Sequence, residues 1–89
     1  IIYVSARNSS LRKVTENWLK EHDLWFEPRL LYLRKEGDMR ADTIVKRELL
    51  ERIRAKGYHP ILSFDDRNSV VAMWRDEGIT CLQVADGDF

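Results

Sequence analysis

Eighty-nine residues, 44% of them apolar and 34% charged, with three each of Trp, Tyr and Phe, suit one small globular domain spanning 1–89 and exclude a disordered chain. Lys plus Arg and Asp plus Glu number 15 each, so attraction to nucleic acid has to come from local charge arrangement and not from a net field. A single cysteine, Cys81, excludes an intrachain disulfide and a cysteine-rich zinc site and suits a reducing compartment. No apolar stretch nears the roughly 18 residues of a membrane span and no charged-then-apolar leader occurs, so the expectation is a cytoplasmic protein without a membrane contact. The chain opens without Met directly in an apolar run, Ile1 to Val4, as a segment cut from a longer protein would.

Ile1-Ile2-Tyr3-Val4 reads as a first strand, followed by the polar stretch Ser5 to Ser10, in which Ser9 or Ser10 can cap a helix. Leu11, Val14, Trp18 and Leu19 recur at helical spacing. Trp25 to Leu33 holds a second apolar run, Leu30 to Leu33, limited by Pro28, whose ring nitrogen cannot donate to a ladder. After the charged loop Lys35 to Arg40, Ile44, Val45, Leu49, Leu50 and Ile53 mark one face of a helix that Gly57 can end. Pro60 to Phe64 is a third strand, with Ile61 to Phe64 reading as buried; Val70, Val71 and Trp74 line a short helix ending at Gly78; Thr80 to Val84 is a fourth strand. The order βαβαβαβ predicts an α/β fold, a parallel Rossmann-like sheet with helices on its faces.

The candidate chemistry gathers at strand ends, where open α/β sheets bind ligands. Ser63-Phe64-Asp65-Asp66-Arg67 places two adjacent carboxylates at the end of the third strand, a pair suited to a divalent metal such as Mg2+. The plainer alternative is that Asp66, Asn68 or Ser69 caps the following helix. Ser5 and Arg7 follow the first strand and Lys46 sits in the second helix; as a turn residue and a solvated helix charge, Ser5 and Lys46 have ordinary explanations too. Together Ser5, Arg7, Lys46 and the Asp65-Asp66 pair supply a hydroxyl donor, a cation and a metal-binding pair, the equipment for handling a phosphoryl group. No Gly-x-x-x-x-Gly-Lys-Ser/Thr loop occurs, which excludes a nucleotide kinase in these residues. His22 and His59 have no Ser or Cys partner at a catalytic spacing and read as surface or packing residues. Arg29, Arg34, Arg40, Arg47, Arg52 and Arg54 form a scattered basic set, either a solvated face or a nucleic-acid contact.

Val4-Ser5-Ala6-Arg7, then Lys46 in a helix, then Phe64-Asp65-Asp66-Arg67 resemble motifs II, III and IV of the haloacid dehalogenase superfamily. Asp65 to Arg75, continuing through Gly78, Cys81, Gln83-Val84 and Gly87-Asp88-Phe89, resembles the C-terminal end of the phosphatase domain of phage polynucleotide kinase/phosphatases, and Gly37 to Lys46 is similar to the same domain. The resemblance implies an enzyme that removes a 3′-phosphate from a DNA or RNA end through an aspartyl-phosphate with Mg2+, joined in the whole protein to an N-terminal kinase domain. It implies that Ser5 donates to the phosphate, that Lys46 offsets charge at the phosphoaspartate, and that Asp66, with Asp65 beside it, holds the metal. Arg7 and Asp42 match residues the family needs, Arg7 near the phosphate or the nucleic-acid end. The family's nucleophile lies in an Asp-x-Asp-Gly-Thr motif on a central strand, and these residues hold no such motif; Asp86-Gly87-Asp88 follows the last strand and lacks the Gly-Thr. Without that strand, the first and third strands either close up and pair or leave a slot for a strand from elsewhere. The competing expectations are a non-catalytic nucleic-acid-binding or assembly module and a phosphatase of small phosphate esters.

Overall fold

The computed structural model describes residues 1–24 and 27–89, which form two compact units, Ile1–Arg40 and Ala41–Phe89. Among the described residues the predicted order of strands and helices is found, and the strands run parallel. They pair as two two-stranded sheets, first with second and third with fourth.

In the first unit, β1 (Tyr3–Asn8) pairs with β2 (Leu31–Arg34), and α1 (Arg12–Glu21) connects them after a 3-10 turn at Ser9–Leu11. Asn8, not Ser9 or Ser10, caps that turn: its side chain accepts from the Ser10 amide. Leu19 packs with Leu31, Leu33 and the half-buried Tyr3 to form the core. The helical stripe read from the sequence is only partly covered, because Leu11, Val14 and Trp18 are 40%, 56% and 49% exposed while Thr15 is buried, its hydroxyl donating to the Leu11 carbonyl. Trp18 instead stacks on His22, ring centroids 4.0 Å apart, which gives that histidine the packing role expected of it. Pro28 starts a 3-10 turn, Pro28–Leu30, so the strand begins one residue later than the apolar run. The Trp25 end of that run lies outside the described residues.

In the second unit, α2 (Asp42–Ala55) and α3 (Asn68–Asp76) pack together, and α3 lies on β3 (Leu62–Asp65) and β4 (Thr80–Gln83). Val45, Leu49, Leu50 and Ile53 of α2 and Val70, Val71, Met73 and Trp74 of α3 are buried with Ile79 and the Cys81 thiol, as their 3.6-residue spacing requires. Gly57 and Gly78, at φ of +91° and +80°, follow α2 and α3 in the left-handed conformation that ends helices. Two readings are corrected. Ile44 is 48% exposed, outside the buried stripe of α2. The third strand is not buried on both faces: Leu62 and Phe64 are 48% and 63% exposed with Leu82 of β4 beside them, since β3 turns only Ser63 and Asp65 toward α3. No helix among the described residues is long and apolar enough to cross a membrane.

Candidate active site

Ser5 and Arg7 sit where the β1–β2 ladder breaks register. Ser5 pairs with Leu33, the next pair is Asn8 with Arg34, and Ala6 and Arg7 fall in the irregularity between them. Bulges of this kind re-aim side chains and recur next to active sites. The freed Ala6 carbonyl accepts from Arg34 Nε at 2.9 Å, and the same guanidinium donates to the carbonyls of Asp38, at 3.0 Å, and Arg40, at 2.6 Å. Arg34 thus ties the bulge to the loop after β2. Ser5 Oγ accepts the Arg7 amide at 3.1 Å, a local turn that leaves the hydroxyl proton available to a ligand.

The second unit brings Lys46, Asp65 and Trp74 together. One carboxylate oxygen of Asp65 accepts both Lys46 Nζ at 2.8 Å and Trp74 Nε1 at 3.1 Å; the other accepts the Asp66 amide at 2.9 Å. Lys46 and Asp65 side chains are each 12% exposed, so the lysine is not the solvated helix charge that its sequence position allows. Burial pushes the Asp65 pKa up, but the hydrogen bonds from Lys46 and Trp74 and the lysine charge outweigh it and hold the carboxyl below its ordinary range. The neighbouring Asp66 is exposed, and its carboxylate makes no hydrogen bond or ion pair with the described residues.

The loop carrying Asp66 is held from several sides. Its carbonyl accepts Gln83 Nε2 at 2.8 Å, and the first amide of α3, that of Asn68, donates to the Gly87 carbonyl at 2.8 Å. The tail therefore satisfies the helix terminus, and no side chain, Asp66 included, caps it. A Cβ at Gly87 would lie 1.7 Å from the Asp66 carbonyl oxygen, so only glycine permits this approach. Arg67 donates to Asp42 at 2.8 Å and lies 4.8 Å from the centre of the Phe89 ring, which links the start of α2, the acidic loop and the tail. Asp42 thus acts on Arg67, a partner that sequence spacing does not reveal.

Among the described residues no three His, Cys, Asp or Glu side chains converge as a metal cage. The donor set nevertheless fits Mg2+, which takes one or two carboxylates and fills its remaining positions with phosphate oxygens and water. The free Asp66 oxygens are such donors. Most of the basic set is neutralised: Arg29 pairs with Glu27, Arg40 with Asp38, Arg47 with Glu77 and Asp76, and Arg54 with Glu77. Arg34 serves backbone carbonyls.

The sequence matches the polynucleotide kinase PNKP phosphatase domain over residues 1–89. The chain belongs to this family, a branch of the haloacid dehalogenase superfamily. Two solved structures share 42% identity with it: one titled as the Pnkp1/Rnl/Hen1 RNA repair complex, TM-score 0.89, and one as the Pnkp1/Rnl/Hen1 complex, TM-score 0.87. Each match covers 99% of this chain and 28% or 30% of the solved chain. A protein of Autographa californica nuclear polyhedrosis virus described as a bifunctional polynucleotide kinase/RNA ligase is 30% identical over 76 residues, which is 85% of this chain and 11% of the relative. The domain thus spans under a third of each of these proteins.

Proposed function

We propose that this domain works in the Mg2+-dependent removal of a 3′-phosphate from DNA or RNA ends, through an aspartyl-phosphate whose aspartate is carried outside these 89 residues. The observation that carries the reading is the juxtaposition of a buried, carboxylate-held lysine with an adjacent free carboxylate, Lys46 with Asp65 and Asp66, in a chain of the PNKP phosphatase family. Phosphoryl transfer asks chiefly for neutralised oxygens and a fixed geometry, and these side chains provide both.

In this reading Ser5 donates its hydroxyl proton to a phosphate oxygen and Arg7 supplies positive charge near the phosphate or the nucleic-acid end. Lys46 offsets charge on the phosphorylated aspartate. Asp66 holds the metal, with Asp65 beside it, and Asp42 keeps Arg67 in place behind the loop. Mg2+ bound there would neutralise phosphate oxygens as charge develops on them. The covalent step needs the Asp-x-Asp-Gly-Thr aspartates, which the family carries on a neighbouring strand; nucleophile and general acid are assigned to that segment. The RNA repair context of the solved relatives and the kinase/ligase description of the viral relative support a setting in end healing, next to a kinase domain.

The test is phosphate release from a 3′-phosphorylated oligonucleotide with Mg2+, by these 89 residues alone and by the protein extended upstream. The extended protein should release phosphate and the 89 residues should not. Turnover by the 89 residues, abolished by Asp66→Ala, would overturn the assignment of the nucleophile. An extended protein that carries the motif, cleaves small phosphate esters and ignores the oligonucleotide would overturn the substrate.

A further inference from the structure

Paired and unpaired cations are distributed differently over the first unit. Arg12 pairs with Glu16 and donates to the Pro28 and Leu31 carbonyls, Arg29 pairs with Glu27, Arg40 pairs with Asp38, and Arg34 is spent on three carbonyls. Lys20, in the last turn of α1, is likewise engaged. Arg7, Lys13 and Lys35 remain: all three are exposed, and their side chains make no ion pair or hydrogen bond with the described residues.

These three lie at one edge of the β1–β2 sheet. Arg7 sits in the bulge near the end of β1, Lys13 in the first turn of α1 just past the 3-10 turn that β1 enters, and Lys35 directly after β2. Ser9 Oγ accepts the Glu36 amide at 3.1 Å and Arg34 Nε donates to the Ala6 carbonyl at 2.9 Å, so the segments that carry them are joined across that edge. The Lys35 backbone is fixed further by its carbonyl, which accepts the Asp38 amide at 3.0 Å. Within residues 5–13 and 34–40 the only carboxylates are Glu36 and Asp38, and Asp38 is held by Arg40, so a single free carboxylate opposes the three free cations. Lys13 is also unfavourable for folding: α1 has no acidic residue in its first turn, and a cation there opposes the positive end of the helix dipole. A bound anion would reverse that penalty. In a chain of zero net charge, such a local excess is what draws a polyanion to one place.

We propose that Lys13 and Lys35 bind the phosphodiester backbone of the nucleic-acid strand whose terminal phosphate is taken by Ser5 and Arg7, so that the edge holds the strand behind its reacting end. Which end is bound rests on the phosphatase reading above; the grouping of the cations does not. Lysine suits this role, since its ammonium is a point charge on a flexible stem that meets phosphates without reading sequence.

The test uses the full-length protein and a short single-stranded RNA bearing a 3′-phosphate. Lys13→Gln and Lys35→Gln should each raise KM for this RNA about 3-fold at low salt with kcat unchanged, and flatten the dependence of log kcat/KM on log salt by roughly 0.7 per lysine removed. KM for uridine 3′-monophosphate, which has no second phosphate, should stay the same, and Lys13→Arg and Lys35→Arg should behave as wild type. An unchanged KM and salt slope in the double Gln variant would overturn the proposal. Equal losses on the RNA and on uridine 3′-monophosphate would overturn it too, because the lysines would then act on the reacting phosphate. A second arm needs no activity: acetylation followed by mass spectrometry should show Lys13 and Lys35 protected several-fold by the RNA and Lys20 unprotected. Protection of all three alike, or of none, would overturn the proposal. A full-length protein that releases no phosphate would sink the phosphatase reading, while the acetylation pattern would still decide where the strand lies.

Discussion

Replacing Lys46 by Met, which keeps the apolar stem and removes the ammonium, strands a carboxylate that is 12% exposed. At 2.8 Å, and an effective dielectric near 20, the pair's attraction is about 6 kcal/mol before the desolvation of both ions is subtracted. Breaking a buried pair from one side typically costs ~3–5 kcal/mol, because the remaining charge stays uncompensated. Here Asp65 keeps the Trp74 and Asp66 donors, so the lower end, about 3 kcal/mol, is expected. That is a large share of the roughly 5–15 kcal/mol available to a small domain. Lys46→Met, Asp65→Asn and the double variant, unfolded in urea at pH 7 and followed by tryptophan fluorescence, form a cycle in which the double variant should lose ~1–3 kcal/mol less than the sum of the singles. The pH dependence has a definite sign: a carboxyl with its folded pKa below the unfolded value of about 3.9 adds stability above that value and loses it as pH falls through the folded pKa. Wild type should therefore shed the advantage only in acid, and Asp65→Asn should lack that loss. A Lys46→Met cost below about 1 kcal/mol with additive singles would refute the reasoning, since exposed pairs behave that way.

Arg40→Ala should raise the Asp38 pKa toward the ordinary carboxylate range, because the Arg40 side-chain and backbone hydrogen bonds hold that carboxyl well below it; an NMR titration that stays low would contradict this. Gly87→Ala, which drives a Cβ against the Asp66–Arg67 backbone, should cost ~1–3 kcal/mol in urea unfolding, more than Gly57→Ala, which meets no atom within 4 Å and bears only the strain of its φ of +91°. The reverse order would show that the tail does not hold the acidic loop. Arg34→Lys should cost about 1–3 kcal/mol, because an ammonium cannot serve three carbonyls in the fork geometry that a guanidinium spans, and equal stability would argue against the tie between bulge and loop.

Element order, parallel strands and most of the second unit's core were legible in the chain itself. Val45, Leu49, Leu50 and Ile53 repeat at the helical period, Gly57 and Gly78 stop helices, and short apolar runs lie between them. These are local signals, carried by a few consecutive residues. The family signature was legible too, as residue types in order: Ser5 and Arg7, then Lys46, then Asp65-Asp66-Arg67. Local pattern failed where burial depends on what another element covers. Val14 and Trp18 have the spacing of a core stripe but lie exposed, and Leu62 and Phe64 leave one face of β3 open. The partners of Lys46, Asp42 and Gly87 belonged wholly to the tertiary structure. Nothing in the sequence near Lys46 reveals a carboxylate 19 residues on, nor that Asp42 holds Arg67 across 25 residues, nor that Gly87 must lack a side chain to lie against Asp66. Two identical carboxylates in adjacent positions acquire different surroundings because β3 turns alternate residues to opposite faces: Asp65 points into the packing of α2 and α3, and Asp66 begins the loop that leaves it.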